Sequence, residues 1–302
     1  MKGLSSHPAA LAESYSMPHL KPAFVLTLSC ADQPGIVAAI ASPLAEHGCN
    51  ITDSAQFGDM KSSRFFMRVS FSAPHDLDRE EARSMLAPAI ERYDMTASLH
   101  PIAERMRVLI MVSKFGHCLN DLLYRHRVGA LPIEIPAIVS NHCDFYQLAA
   151  SHDLPFHHLP VTLETKEKQE HRLAELIDEK RINLVVLARY MQVLSEGLCR
   201  KLAGRAINIH HSFLPSFRGA KPYHQAHARG VKLIGATAHY VTPVLDEGPI
   251  IEQEVARVDH AMSTEDLVHT GRDVESLVLA RAVKWHVEHR ILLNGNRTVV
   301  FR

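Results

Sequence analysis

Apolar and polar positions in the first hundred residues change period several times. Four segments alternate or run apolar like strands, and two repeat every three to four residues like helices. The strands are predicted at 23–30, 49–57, 63–71 and 95–102, and the helices at 36–47 and 76–94. Asp32-Gln-Pro-Gly35 is a turn, and Gly48 suits the position after a helix. The order βαββαβ predicts a ferredoxin-like unit.

From Met106 the pattern becomes an alternation of buried strands and helices. Strands are predicted at 106–113, 133–141, 183–188 and 206–210, and helices at 117–131, 166–181, 195–204 and 263–290. Near-continuous apolar runs such as MRVLIMVS are typical of strands covered on both faces. We therefore predict an α/β fold with a doubly wound, mostly parallel sheet. Ligands bind such sheets at the carboxyl ends of the strands.

The two patterns divide the 302 residues into a flexible tail (1–21), a first domain (22–103) and a second domain (104–302). Lys plus Arg and Asp plus Glu both number 33, so we expect no nucleic-acid or membrane partner. The five cysteines are dispersed with no CxxC spacing, which favours reduced thiols in the cytoplasm. No apolar run predicts a signal peptide or a membrane span.

Candidate chemistry lies at the end of the predicted strand 206–210 and in a later loop. Asn208 and His210 are two residues apart and therefore share one face of the strand. Asp246 lies in a loop bounded by Pro and Gly. An amide, an imidazole and a carboxylate can together move an acyl group. Each alone is more simply a strand cap or a turn residue. Histidine spacing in this region does not suit a zinc site, so we predict no metal.

The segments AINIHHSFLPSFRG (206–219) and LDEGPII (245–251) resemble the formyltransferase-fold family that uses 10-formyltetrahydrofolate. Three branches compete: glycinamide ribonucleotide formyltransferases, methionyl-tRNA formyltransferases and formyltetrahydrofolate deformylases. The first branch carries a Gly/Ser-rich phosphate loop, whereas this chain has SKFGHCLNDLL (113–123). The tRNA branch carries a further basic domain. The loop 113–123 and the paired His210 and His211 resemble the deformylases.

The first unit supports the same branch. LSCADQPGIVAAIASPLAEHGCNITDSAQF (28–57) resembles an ACT domain, a module that commonly binds an amino acid. The resemblance implies regulatory residues Asp32, Gly35, Asn50 and Ile51, with glycine or methionine as candidate effectors. It also implies a homodimer or homotetramer.

The resemblance implies hydrolysis of 10-formyltetrahydrofolate to formate and tetrahydrofolate, which supplies one-carbon and purine metabolism. Asn208 and His210 would polarise the formyl group, and Asp246 would assist attack by water. The folate would be substrate, with no cofactor. The predicted folate-binding residues are Tyr190, Met191, Gln192, Val193, Leu194, Gly219 and Leu245.

Two other classes of function remain open at this point. A transferase would pass the formyl group to an amine, and a sensor would bind folate and an amino acid without catalysis. The complete set Asn208, His210 and Asp246 argues against the sensor. The lack of a phosphate loop argues against a phosphoribosyl acceptor. Product formed without an acceptor would separate hydrolase from transferase.

Overall fold

A computed structural model describes residues 23–74, 77–215 and 222–302. The first unit contains β1 (Ala23–Ala31), α1 (Ile36–Glu46), β2 (Asn50–Asp59), β3 (Arg64–Ser72), α2 (Arg79–Arg92) and β4 (Thr96–Pro101). Its strands form an antiparallel sheet in the order β2-β3-β1-β4. The predicted ferredoxin-like βαββαβ unit is confirmed. The predicted flexible tail lies outside the described residues.

Local sequence explains the helices of this unit. Ile36, Ile40 and Leu44 are buried at the spacing of one helical face, so α1 packs on the sheet. Gly48 ends the helix region in the left-handed conformation, with a φ of 68°. Helix α2 begins with a capping box in which Asp78 and Glu81 satisfy each other's backbone N–H groups.

Residues 102–105 connect β4 to the second unit, and the predicted boundary at 103/104 falls in this connection. Its elements are β5 (Met106–Val112), α3 (His117–Arg127), β6 (Ile133–Ser140), α4 (Tyr146–Ser151), β7 (Phe156–His158), α5 (Lys166–Glu179), β8 (Leu184–Leu187), α6 (Glu196–Lys201), β9 (Ala206–His210), α7 (Pro222–Ala228), β10 (Leu233–Tyr240), β11 (Ile250–Arg257), α8 (Thr264–Val287), β12 (Ile291–Asn294) and β13 (Arg297–Val300).

Seven strands of this unit form one sheet in the order β11-β10-β9-β8-β5-β6-β7. The five adjacent strands β9, β8, β5, β6 and β7 pair in parallel, and β10 and β11 extend the sheet in antiparallel fashion beyond β9. This confirms the doubly wound, mostly parallel fold. The chain runs outward from β5 through β6 and β7, then returns to β8 on the other side of β5. The carboxyl ends of β5 and β8 therefore border a cleft at the switch point.

The sequence pattern did not predict the short elements. α4, β7 and α7 have three to seven residues each, which is too few to show a period. It also missed the hairpin β12–β13, whose strands have four residues each. The last predicted helix is shorter at both ends, because Ser263 caps it and Glu288 ends it.

The two units meet on the sheet face opposite α1 and α2. Arg68 of β3 is buried and donates from Nε and Nη2 to the Glu288 carbonyl after α8, at 3.3 and 3.1 Å. Its Nη1 donates to Asp53 at 2.6 Å. The rings of His100 and His289 stack with centroids 3.6 Å apart. The end of α8 is thus joined directly to the first sheet.

The five cysteines are free thiols. Within the described ranges, none of the helices has the length and apolar character that crossing a membrane would require.

Candidate active site

A cavity of about 580 Å³ opens at the carboxyl ends of β8 and β9, where the strand order predicts a ligand site. Its volume is that of a site for a drug-sized ligand. Its lining has an apolar half, formed mainly by residues 190–194 and Leu245, and a polar half, formed by His117, Arg189, His211, Tyr223 and Glu275. Every predicted catalytic residue lines it, as do the predicted folate-binding residues 190–194 and Leu245. Gly219 lies outside the described residues.

The loop 189–195 forms one wall and is fixed to the neighbouring strand ends. The Met191 N–H donates to Ser113 Oγ at 2.9 Å, and Ser113 Oγ donates to Asn141 Oδ1 at 2.7 Å. The Ser113 N–H donates to the Arg189 carbonyl at 3.2 Å. Arg189 itself has a φ of 64°, which turns the chain out of β8. A buried serine and asparagine therefore hold the loop against β5 and β6.

Apolar side chains of this loop face the cavity. Leu194 is buried, while Met191 and Val193 are about half exposed at the cavity edge. Leu245, on the opposite loop, is 62% exposed. Burial raises the pKa of Tyr190 to about 12, so the ring stays neutral. Exposed apolar groups collected around one cavity are typical of a ligand site, and a flat heteroaromatic ring would fit between them.

Asn208 lies on β9 directly opposite His239 on β10. The Asn208 amide Nδ2 donates to His239 Nε2 at 3.2 Å. Ring atom Nδ1 of His239 lies 2.9 Å from the Tyr240 carbonyl and, facing an acceptor, must carry the hydrogen. Burial lowers the pKa of His239, although the Tyr240 carbonyl and Asp246 oppose this shift. His239 is therefore neutral.

His210 and Asp246 form an imidazole–carboxylate pair in the cavity. His210 Nδ1 lies 3.2 Å from Asp246 Oδ1, and the His210 ring is 5% exposed. His210 Nε2 is buried and has no hydrogen-bond partner among the described residues. Burial alone would raise the pKa of Asp246, but the His210 hydrogen bond and the surrounding imidazoles hold it below its ordinary value. An ionised carboxylate thus orients an imidazole whose other nitrogen makes no hydrogen bond to the described part of the protein.

The Asp246 loop is held by a close backbone contact. Tyr240 N–H donates to the Pro249 carbonyl at 2.9 Å. A Cβ at Gly248 would lie 1.7 Å from the Tyr240 carbonyl oxygen, so no larger residue fits there. Asp246 has a φ of 57°, a conformation that aspartate tolerates better than most residues. The glycine allows the loop to approach β10, and the left-handed turn brings the carboxylate to His210.

The polar half of the cavity contains a second carboxylate, Glu275 of α8, which is 1% exposed. Tyr223 donates to its Oε1 at 2.5 Å. His117 Nε2 and Arg189 Nε lie 2.7 and 3.2 Å from its Oε2. Burial alone would raise the pKa of Glu275, but His117 and the Arg189 charge hold it below its ordinary value. We call these four residues the Glu275 cluster.

In the part of the chain that the structure describes, His117, Cys118 and Glu275 place potential metal-ligand atoms within 4.8 Å of one another. Arg189 already balances the charge of Glu275, and burial raises the pKa of the Cys118 thiol. A neutral thiol is not a metal ligand. We therefore interpret the group as an ion-pair network.

The predicted regulatory residues lie on the first sheet at opposite ends. The register places Asn50 beside Ser72 and Ala31 beside Arg64, so Asp32 and Asn50 are separated by the length of a strand, about 25 Å. Asp32, Gly35, Asn50 and Ile51 are all exposed. One chain therefore does not bring the four together, and a single site made from them needs a second copy.

Three residues of the cavity, His239, Tyr223 and Glu275, were not predicted from the sequence. Glu275 left a signal, because it falls in the apolar stripe of α8 four residues after Gly271 and three before Val278. A charge in such a stripe predicts a buried ion pair. His239 lies within the apolar alternation of β10 and gives the same kind of signal.

Comparisons with known proteins agree with both units. The ACT domain family matches residues 24–83, and the formyl transferase family matches residues 106–283. A formyltetrahydrofolate deformylase from Corynebacterium sp. (strain P-1) is 52% identical over 92% of this chain and 98% of its own length. One from Bacillus subtilis (strain 168) is 45% identical over 91% of this chain and 93% of its own length.

Solved structures give the same result. The crystal structure of formyltetrahydrofolate deformylase from Burkholderia mallei is 56% identical, with a TM-score of 0.89 over 93% of this chain and all of that one. Glycinamide ribonucleotide transformylase 1 from Symbiobacterium toebii is 28% identical, with a TM-score of 0.62 over 68% of this chain and 98% of its own. The chain therefore belongs to the formyltetrahydrofolate deformylases, hydrolases that join an ACT domain to a domain of the formyltransferase fold.

Proposed function

We propose that this deformylase hydrolyses 10-formyltetrahydrofolate in the cavity, with Asn208, His210 and Asp246 as its catalytic residues. The observation that carries the proposal is His210 in the cavity lining, whose Nδ1 lies 3.2 Å from Asp246 while its buried Nε2 has no hydrogen-bond partner among the described residues. An imidazole oriented by a carboxylate can accept and return a proton at neutral pH. The product formate and the free tetrahydrofolate would supply one-carbon and purine metabolism.

The folate would place its pterin ring in the apolar half, against residues 190–194 and Leu245. The formyl carbon would then lie near Asn208 and His210. As water attacks this carbon, negative charge grows on the formyl oxygen. One correctly placed amide donor at such an oxygen is worth about 3–4 kcal/mol of barrier. Asn208 has a second N–H beside the one bound by His239, and it would serve this purpose.

Proton transfer completes the reaction. His210 Nε2 takes a proton from the attacking water, and Asp246 stabilises the resulting imidazolium through Nδ1. The new C–O bond forms, and the bond between the formyl carbon and folate N10 breaks. His210 returns the proton to N10. Atoms and charge balance with no group other than folate and water, so we propose no cofactor.

The first loop of the domain supports water as the acceptor. Gly116 begins α3, and a Cβ there would lie 2.2 Å from the Phe145 ring. Phe115 lies in the same loop beside the Arg189 and Arg272 side chains. Aromatic rings therefore fill this turn, in place of the small residues that expose backbone N–H groups to a phosphate. This disfavours an acceptor held by its phosphate.

We further propose that the ACT domain binds an amino-acid effector, with glycine and methionine the first candidates. Because Asp32 and Asn50 lie at opposite ends of the sheet, a site using both needs two copies. This agrees with a homodimer or homotetramer. Free thiols and balanced charge support a cytoplasmic location with no nucleic-acid or membrane partner.

The test is incubation of the purified chain with 10-formyltetrahydrofolate in ¹⁸O-labelled water without an amine acceptor. We expect formate and tetrahydrofolate in equal amounts, with one labelled oxygen in each newly formed formate. Asn208→Ala should lower the rate about 100- to 1,000-fold. Asp144→Asn, an exposed acid outside the cavity lining, is the matched control for a change of one polar group. Folate binding without product would refute the proposal in favour of a transferase or a sensor.

A further inference from the structure

His239 lines the cavity but is not one of the three residues to which a chemical step has been given. It is 3% exposed and belongs to β10, one strand beyond Asn208 and His210. Its Nδ1 binds a backbone carbonyl, and its Nε2 binds the Asn208 amide. Both ring nitrogens are therefore used within the protein. His239 acts on the reaction only through its neighbours.

The hydrogen-bond roles fix the orientation of Asn208. The Tyr240 carbonyl can only accept, so the neutral ring carries its hydrogen on Nδ1 and a lone pair on Nε2. A lone pair at Nε2 binds the NH₂ group of Asn208 and repels its carbonyl oxygen. The carboxamide is thereby held in one of its two flipped states. In that state one N–H is bound by His239 and the other is available to the formyl oxygen.

The groups around His239 make its neutral state important. Among the described residues, His210 on β9 and Asp246 on the loop after β10 are the titratable groups whose charges act on it. His239 Nε2 lies 3.8 Å from Asp246 Oδ1. A protonated Nε2 would draw the Asp246 carboxylate away from His210 Nδ1 and would favour the opposite flip of Asn208. Burial of the ring opposes that protonation.

We propose that His239 is a positioning residue, whose Nδ1-protonated tautomer holds the Asn208 amide with an N–H directed at the formyl oxygen. The proposal rests on the role of Asn208 given above. It requires the Nε2 lone pair. It also predicts that replacing His239 lowers kcat only while Asn208 is present. A purely structural histidine would lack the second property.

The first test does not depend on activity. The ¹⁵N shifts of the His239 ring, assigned by comparison with His239→Gln, report which nitrogen carries the hydrogen. We expect Nδ1 protonated and Nε2 unprotonated at pH 7.5. Protonation at Nε2 would overturn the proposal, whatever reaction the chain catalyses.

The second test is a double-mutant cycle on kcat. His239→Phe removes the acceptor and keeps the ring volume, so kcat should fall about 10- to 100-fold while KM changes less than about twofold. His239→Gln, which can present an oxygen to Asn208, should recover part of that loss. In the Asn208→Ala background, His239→Phe should change kcat less than about twofold. His157→Phe, at the opposite edge of the sheet, is the control.

The proposal would be contradicted if the kcat losses of His239→Phe and Asn208→Ala multiplied in the double variant. A change confined to KM in His239→Phe would contradict it as well. If His239→Phe does not fold, the His239→Gln cycle with Asn208→Ala gives the same comparison. The wild-type rate without an acceptor tests hydrolysis itself. A chain that does not hydrolyse the folate but shows the Nδ1-protonated tautomer therefore refutes the proposed function and leaves the geometric claim standing.

Discussion

The carboxylates of Asp246 and Glu275 line the same cavity and are bound very differently. Glu275 is almost fully buried and accepts hydrogen bonds from Tyr223 on one oxygen and from His117 on the other, with the charged Arg189 Nε 3.2 Å away. Asp246 is 12% exposed and binds chiefly His210, whose far nitrogen has no hydrogen-bond partner among the described residues. A carboxylate with two protein donors and an arginine counter-charge fixes structure, whereas one that orients a single free imidazole can take part in a proton transfer.

The positions of the two groups in the chain agree with this difference. Glu275 is on the rigid helix α8 and connects it to α3, the β8 end and α7. Asp246 is on a loop that docks on β10 through Gly248. Loops carried by a rigid scaffold commonly hold reactive groups. The predictions that follow change one carboxylate, or its partners, at a time.

The largest effect is expected for Asp246→Asn. The amide cannot stabilise the imidazolium and can bind the wrong tautomer of His210, so kcat should fall about 1,000- to 10,000-fold. The free energy of unfolding should fall less than in Glu275→Gln, because Asp246 is the more exposed of the two carboxylates. Turnover of 10-formyltetrahydrofolate and urea unfolding measure the two quantities. A variant that keeps a tenth of wild-type turnover would remove Asp246 from the mechanism.

Glu275→Gln should act mainly on stability. The change leaves the buried Arg189 guanidinium without its counter-charge, which costs about 3–5 kcal/mol when one partner of a buried pair is lost. Urea unfolding should show this fall. Glu265→Gln, an exposed change on the first turn of the same helix, should change stability by less than about 1 kcal/mol. Equal effects of the two variants would contradict the structural role given to Glu275.

Tyr223→Phe should have a smaller effect of the same kind. It removes one hydrogen bond to the Glu275 carboxylate and keeps the ring that packs on α8. A hydrogen bond to a charged group contributes about 1.5–3 kcal/mol, so the free energy of unfolding should fall by that amount. The exposed Tyr124 supplies the control change, Tyr124→Phe. A neutral result for Tyr223→Phe would mean that the His117 hydrogen bond and the Arg189 charge are enough to stabilise the carboxylate.

Acid should weaken the polar half of the cavity. Burial, with the Arg189 charge nearby, lowers the pKa of His211 to about 4 from 6.5. The unfolded chain therefore binds a proton between these values and the folded chain does not, so stability falls as pH decreases from about 6.5 to 4. The slope from His211 is at most about 1.4 kcal/mol per pH unit. Urea unfolding from pH 7.5 to 5 should show a shallower fall in His211→Asn than in wild type. An equal slope would contradict this contribution.

The sequence was sufficient for most of the elements and for one side of the site. The apolar period indicated the four strands of the first sheet and β5, β6, β8 and β9 of the second, and the spacing of Asn208 and His210 on β9 indicated a shared face. The Glu275 cluster was not predictable in the same way, because its members are separated by up to 158 positions and meet only through the packing of α8 on the sheet. The orientation of Asn208 likewise depends on His239, which is 31 residues away on a different strand. Pairing between distant segments, rather than local pattern, decides these contacts.

Asp246 is assigned a reactive role and Glu275 a structural one. The most direct test of this assignment is to measure kcat for Asp246→Asn and Glu275→Gln side by side on folded protein. Circular dichroism at the assay temperature establishes that both variants are folded. The structure predicts that Asp246→Asn loses about 1,000-fold or more, whereas Glu275→Gln stays within about tenfold of wild type. A Glu275→Gln enzyme that is folded but as inactive as Asp246→Asn would contradict the assignment of the reactive carboxylate to Asp246 alone.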